Sequence, residues 1–166
     1  PRAGARSGGS PEWTTRRKPS VLGMISGAIA GLGTITPASG FVAPWHGYLI
    51  GVIAGGICFY ACTGLKRALN YDDSLDVFGV HGVGGLVGTL LAGVFATAAI
   101  GGTAGLLEGN PGQFQLQLGG VAVALVWPAA VTFVLLKIID GFVPLRVGRQ
   151  QEIEGLDISL HGEALQ

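Results

Sequence analysis

The sequence has few charged residues. Lys, Arg, Asp and Glu make up 12% of its 166 residues, whereas about a quarter is usual in soluble domains. The basic and acidic residues also cancel, so the net charge is zero, and a nucleic-acid partner is not expected. Scarce charge combined with 49% hydrophobic residues and 30 glycines instead predicts a membrane protein in contact with lipid.

Cysteine and histidine, which commonly bind metals or cofactors or take part in catalysis, are also scarce. The two cysteines, Cys58 and Cys62, lack the spacing of a zinc or redox motif and are interpreted as small packing residues. Of the three histidines, only His81 lies deep in an apolar stretch, and axial haem ligation would need a second one. We therefore expect no metal site, no cofactor and no catalytic residue, and the chain is not predicted to be an enzyme.

Four stretches are long and apolar enough for membrane-spanning helices, which need about 20 residues each. Pro19 and Ser20 precede the first stretch and suit the start of a helix. The fold is therefore predicted to be all-α, a polytopic membrane helix bundle. The predicted segments are an atypical N-terminal arm at 1–15, the membrane part at 16–144 with helices at about 21–36, 45–65, 75–100 and 116–139, and a tail at 145–166.

The basic residues outside the apolar stretches predict an orientation. They precede the first stretch at 16–18, follow the second at Lys66 and Arg67, and follow the fourth at Arg146 and Arg149. Cytoplasmic loops are enriched in Lys and Arg, so these three segments are predicted to be cytoplasmic. The expected location is the cell membrane, plasma or inner, with a cytoplasmic C-terminus.

Small residues recur every four positions in the apolar stretches. Such stripes allow helix backbones to approach closely in a membrane, so each helix is expected to pack against neighbours. The stripes are Gly23, Gly27 and Gly31 in the first stretch, Gly47, Gly51 and Gly55 in the second, Gly84, Gly88, Ala92 and Ala96 in the third, and Gly120 and Ala124 in the fourth.

The segment DDSLDVFGVHGVGGLVG, residues 72–88, combines acids with one histidine in an otherwise apolar run. Asp73 and Asp76 lie at the start of the third stretch, where carboxylates stabilise a helix N-terminus. His81 lies about six residues into the stretch and, at α-helical spacing, shares a face with Gly84, Gly85 and Gly88. It is therefore predicted to face the packed interior, where a neutral imidazole suits a small polar molecule or a proton.

The sequence resembles the ammonium transporter family in three segments. The most specific is DDSLDVFGVHGVGGLVGTLLAGVFA, and RRKPSVLGMISGAIAGLGTITPASGFV and the tail EIEGLDISLHGEALQ match flanking family segments in the same order. Together they cover most of residues 16–166. The resemblance implies the C-terminal four of eleven transmembrane helices, and a homotrimer in which each protomer has its own pore for ammonium or ammonia.

The resemblance also implies roles for particular residues. His81 corresponds to the second of two pore histidines, and Asp73, Val77, Asp76 and Ser26 to pore or inner-mouth positions. Gly155, Leu156 and Asp157 match a regulatory tail motif, which implies a possible PII-type regulatory protein as partner. Membrane lipid is the other expected contact.

The family's first seven helices have no counterpart in this sequence. The chain is therefore expected to carry one side of a pore and not to conduct alone. The first hypothesis is the C-terminal part of an ammonium transporter, and the alternative is a truncated membrane subunit with an assembly or regulatory role. An unrelated small-solute channel is a third interpretation.

Overall fold

The computed structural model describes residues 20–163, and all regular secondary structure in that range is helical. Within these described residues, four helices are long and apolar enough to cross a membrane, which confirms the all-α prediction and the number of spanning helices. The predicted arm at 1–15 lies outside the described residues. The long helices are α1 Val21–Ala38, α2 Pro44–Leu69, α3 Phe78–Phe95 and α5 Pro111–Asp140, and the short ones are α4 Ala98–Gly101 and α6 Arg149–Glu154.

Helix α1 begins as its sequence predicts. The Ser20 side-chain oxygen accepts a hydrogen bond from the Gly23 N–H at 2.9 Å, which satisfies one of the free donors of the first turn. The α-helical part ends at Ile35 and continues as a 3-10 turn, Thr36–Ala38. Helix α2 then begins at Pro44, where a proline costs no hydrogen bond because the first helical N–H has no acceptor.

Helix α3 is shorter than the predicted stretch at 75–100. It begins late because Asp76 has a left-handed backbone with φ of +55°. It ends at Phe95 because the next residues bond to loops: the Thr97 N–H donates to the Phe41 carbonyl and the Gly105 N–H to the Ala96 carbonyl, both at 2.8 Å. These long-range bonds outweigh the continuing apolar pattern.

Helix α5 begins five residues before the predicted boundary at 116, at Pro111. The Asn110 side chain accepts from the Gln113 N–H at 3.4 Å and donates to the Ala104 carbonyl at 3.0 Å. The first turn is therefore held by polar contacts that an apolar pattern does not reveal.

Helices α1, α2 and α3 pack closely through their small residues. A Cβ on Gly88 would lie 2.0 Å from the Thr34 carbonyl oxygen, and one on Gly79 would lie 2.4 Å from Cys62 Sγ. Contacts this close exclude a side chain, as the small-residue stripes predict. The stripe members buried in this packing are Gly27, Gly31, Gly51, Gly55, Gly84, Gly88, Ala92 and Ala96.

The chain divides into two compact units between Ala122 and Val123, within α5. The first unit contains α1 to α4. The second contains α6 and a π-helical segment, Asp157–His161. In this second unit Arg146 and Glu152 form an exposed ion pair with an N–O distance of 2.8 Å.

Candidate functional site

The first part of α3 carries His81 and is not a regular α-helix. Residues Phe78–Val83 are π-helical, and α-helical geometry begins at Gly84. A π-helix bonds each N–H to the carbonyl five residues earlier, and such turns are rare and frequent at functional sites. The wider turn changes the direction in which side chains at 78–83 point relative to those that follow.

The side chain of His81 is exposed, so the prediction that it faces the packed interior with Gly84 and Gly88 is wrong for this chain. The π-helical turn accounts for the difference, because the predicted shared face assumed 3.6 residues per turn throughout. The imidazole lies at the edge of the α1–α3 contact, since a Cβ on Gly33 would be 4.0 Å from its Nδ1.

Asp73 holds the start of α3. Its two carboxylate oxygens accept hydrogen bonds from the Val77 and Phe78 N–H groups, each at 2.9 Å. A carboxylate in this position satisfies free backbone donors and stabilises the positive end of the helix dipole. The predicted helix-starting contribution of the acids is therefore observed for Asp73.

Asp76 has a different partner. Its Oδ1 lies 2.7 Å from the Nζ of Lys66, in the last turn of α2, and the same Nζ donates to the backbone carbonyl of Asp73. The Cys62 thiol also lies 4.0 Å from the Asp76 carbonyl oxygen. One lysine therefore links the end of α2 to both acids before α3.

The predicted pore residues line two separate hollows within the first unit. Ser26 and Asp76 line a cavity of about 180 Å³ between α1, α2 and α3. His81, Asp73 and Val77 line a wider depression of about 550 Å³. Asp73 and Asp76 therefore lie near each other but line different hollows. Ser26 and His81 likewise line different hollows.

Tyr71 lies beside the second hollow, in the loop between α2 and α3. Its ring meets the Phe78 ring edge-on, with the ring centroids 5.7 Å apart. Burial, and then the negative charge of Asp73, raise the pKa of the phenol above its ordinary value. The hydroxyl therefore stays neutral beside the acids.

The predicted tail residues lie together at the junction of α6 with the π-helical segment. Gly155 has a φ of +91°, which favours glycine, and its N–H donates to the Gln151 carbonyl at 3.0 Å. Leu156 is 45% exposed. The Asp157 carbonyl accepts from the Glu163 N–H at 3.0 Å, which folds the end of the tail back on itself.

Two side chains of interest were not singled out from the sequence. The sequence pattern marks Lys66 only as an orientation signal, although a lysine shortly before three acids also suggests an ion pair. His46 is only 8% exposed and stacks on Phe95 with ring centroids 5.0 Å apart. No local pattern predicts that long-range stacking.

Comparison with known proteins places this arrangement among transporters. The family model described as the Ammonium Transporter Family matches residues 3–165. The chain is 45% identical over 154 residues to an ammonium transporter of Bacillus subtilis, covering 92% of this chain and 38% of that protein. These matches are to transporters and not to enzymes.

Solved structures agree with the sequence matches. The crystal structure of Saccharomyces cerevisiae Mep2 superposes with a TM-score of 0.83 at 35% identity, covering 89% of this chain and 35% of that one. A structure described as a sensor Amt protein gives a TM-score of 0.81 at 27% identity, covering 96% of this chain and 40% of that one. The chain thus spans little more than a third of the length of these relatives, and it belongs to the ammonium transporter family.

Proposed function

We propose that this chain forms the C-terminal part of a membrane pathway for ammonium or ammonia, with His81 facing the transported solute. The observation that carries the proposal is an exposed imidazole on a helix that can cross a membrane. An ionisable side chain at membrane depth is costly against lipid and usually faces a bundle interior or a water-filled cavity. Helices outside this chain would therefore cover the His81 surface.

The surroundings of His81 suit a small polar solute. Apolar side chains line part of its depression, and three polar residues of the preceding loop line the rest; the lining includes Leu69, Val77 and Phe78, and Tyr71, Asp72 and Asp73. A neutral imidazole offers one hydrogen-bond donor and one acceptor. Apolar side chains beside an imidazole suit a small solute such as ammonia, and the carboxylates of Asp72 and Asp73 at the loop end suit its cation.

The remaining site assignments belong to the same proposal. Ser26 and Asp76 contribute to the cytoplasmic end of the pathway, and Asp73 and Val77 to the mouth beside His81. Their support is that each lines one of the two hollows. Gly155, Leu156 and Asp157 form part of a regulatory tail, supported by their clustering at one turn.

The assembly and orientation are also proposed. The complete protein is a homotrimer in the cell membrane with a cytoplasmic C-terminus, and its tail is contacted by a PII-type regulatory protein. Support comes from the Mep2 and sensor Amt structures it resembles and from the basic residues at one side of the predicted spans. The cytoplasmic position of the C-terminus is tested with two C-terminal fusions, one to a fluorescent protein and one to a phosphatase. A fluorescent-protein fusion that does not fluoresce, together with a phosphatase fusion that is active, contradicts this orientation.

A chimera tests the transport role. This chain replaces the segment it aligns with in the Bacillus subtilis ammonium transporter, and the chimera is expressed in cells that lack their own ammonium transporters. It is expected to restore growth on limiting ammonium and uptake of methylammonium. His81→Ala is expected to reduce uptake and change the preference for ammonium over methylammonium, because the depression that His81 lines loses its imidazole.

Gly85→Ala is the matched control, since a Cβ at that position on the same helix meets no atom within 4 Å. It is expected to transport normally. Unchanged uptake and selectivity in His81→Ala contradict the pore role. A chimera that reaches the membrane but does not transport contradicts the proposed function and favours an assembly or regulatory subunit.

A further inference from the structure

One cation holds the segment that leads into the His81 helix. The Lys66 Nζ contacts the Asp76 carboxylate at 2.7 Å and the Asp73 backbone carbonyl, and so binds both ends of the four-residue segment before α3. Arg67, the next residue, is exposed, and its side chain forms no hydrogen bond or ion pair within residues 20–163. The chain therefore uses only one of two adjacent basic residues for this link.

The segment that Lys66 holds has an unfavourable backbone conformation. Asp76 has a φ of +55°, which residues other than glycine seldom adopt unless their surroundings impose it. Directly after it, the Asp73 carboxylate fixes the Val77 and Phe78 N–H groups at 2.9 Å. The π-helical turn Phe78–Val83, which contains His81, starts from this fixed point.

Stability alone does not explain the lysine contact. The side chains of Lys66 and Asp76 are 28% and 38% exposed, and ion pairs at such positions contribute little to stability. Its geometric consequence is larger, because it stabilises the strained residue Asp76, which lies two positions before the π-helical turn. A π turn that relaxes to α geometry shifts the following side chains by about one residue, or roughly 100° of rotation.

We propose that Lys66 is a positioning residue for His81: by binding Asp76 and the Asp73 carbonyl, it keeps the first turn of α3 π-helical and directs the imidazole into the solute pathway. The inference rests on the proposed transport function. Lys66 itself does not contact the solute. Its removal is expected to act only through the position of His81.

Lys66→Met in the chimera is the first test, because methionine keeps the length of the side chain without its charge. We expect uptake per transporter in the membrane to fall on the order of tenfold to a hundredfold, since misplacing a positioned group by as little as about 1 Å can cost a hundredfold. The maximal rate is expected to fall more than the apparent affinity. Lys66→Arg is expected to restore most of the rate, and Arg67→Met, the matched control, to leave it unchanged.

Two double variants separate positioning from a general structural role. Lys66→Met is expected to cause no further loss of uptake when His81→Ala is already present, because it acts through that side chain. Lys66→Met combined with Asp76→Asn is expected to be no worse than Asp76→Asn alone, because Asp76→Asn already breaks the link to Lys66. Additive losses in either pair overturn the proposal.

Membrane abundance is measured for every variant by fluorescence of a fused protein. A Lys66→Met variant that loses abundance while each remaining transporter works normally overturns the proposal in favour of a folding role. If that variant does not reach the membrane, Asp76→Asn is used for the test, since asparagine tolerates positive φ. An unchanged rate and selectivity in Asp76→Asn overturn the proposal. The proposed function fails separately, when the chimera without substitutions does not transport.

Discussion

Helices α3 and α5 are both glycine-containing and long enough to cross a membrane, but they differ in packing. In α3 the residues Gly84, Gly88, Ala92 and Gly93 are buried, whereas α5 has no buried residue along its 30 positions. A Cβ on Gly119 or Gly120 would meet no atom within 4 Å. The same small-residue spacing therefore marks a tight helix contact in α3 and an uncovered surface in α5.

The difference teaches what a small-residue stripe can establish. The stripe makes close approach possible but supplies no partner, and association in lipid depends on packing with a complementary helix. Helix α3 finds that complement in α1 at Thr34. The apolar surface of α5 must be covered by lipid or by helices outside this chain, which agrees with a chain that spans little more than a third of its relatives.

The largest expected effect is the difference in stability between Gly88→Ala in α3 and Gly120→Ala in α5, each of which adds one methyl group. In Gly88→Ala the new Cβ would lie 2.0 Å from the Thr34 carbonyl oxygen, so α1 and α3 must separate, at a cost of about 3 kcal/mol or more for such overpacking. Gly120→Ala meets no atom and is expected to stabilise the helix by about 0.4–1 kcal/mol. Thermal unfolding of the chain in detergent, followed by size-exclusion chromatography, measures both changes.

Gly85→Ala controls for the effect of glycine replacement within α3, since that position is open. It is expected to behave like Gly120→Ala. An equal loss of stability in Gly88→Ala and Gly120→Ala would mean that α5 is as tightly packed as α3, and the comparison would then be wrong.

The second prediction contrasts a buried histidine with an exposed one. His46 is 8% exposed and its ring contacts those of Trp45 and Phe95, with centroid distances of 3.8 and 5.0 Å. His46→Ala is expected to cost about 1–3 kcal/mol of stability through lost packing and ring contacts. His81→Ala is expected to change the stability of the chain by less than about 0.5 kcal/mol, because its side chain is exposed.

Uptake by the chimera should rank the two variants the other way. His81→Ala is expected to lose transport at normal abundance, whereas His46→Ala loses abundance and keeps its rate per transporter. His46→Phe is a useful control, because it preserves the stacked ring. If His81→Ala unfolds as readily as His46→Ala, then His81 contributes to packing, and its assignment to transport alone is contradicted.

Much of the fold follows from the sequence because the bilayer imposes simple rules. Length and hydropathy predict the four spanning helices, and Ser20 predicts the start of α1, since these depend on local composition and capping. The end of α3 at Phe95 does not follow, because it depends on the Thr97 bond to Phe41. An apolar pattern contains no information about a partner more than fifty residues away in sequence.

The candidate site is less accessible to sequence reasoning than the fold. Composition and the motif identify His81, but its direction depends on the π-helical turn at 78–83, which periodicity does not reveal. The role of Lys66 depends on Asp76 adopting a positive φ. Both features arise from the way α2 and α3 meet, so they become visible only when the three-dimensional contacts are known.

The smallest expected effect lies in the tail. Arg146 and Glu152 are 2.8 Å apart, close to the 2.7 Å of Lys66 and Asp76, but their side chains are 69% and 39% exposed and hold no strained backbone. Glu152→Gln is therefore expected to cost about 0.2–1 kcal/mol. Added salt should shrink even that difference from the unsubstituted chain, because exposed charges are screened. Thermal unfolding at low and high salt measures it, and a shift as large as that of Gly88→Ala would show that ion pairing in the tail matters as much as close packing in α3.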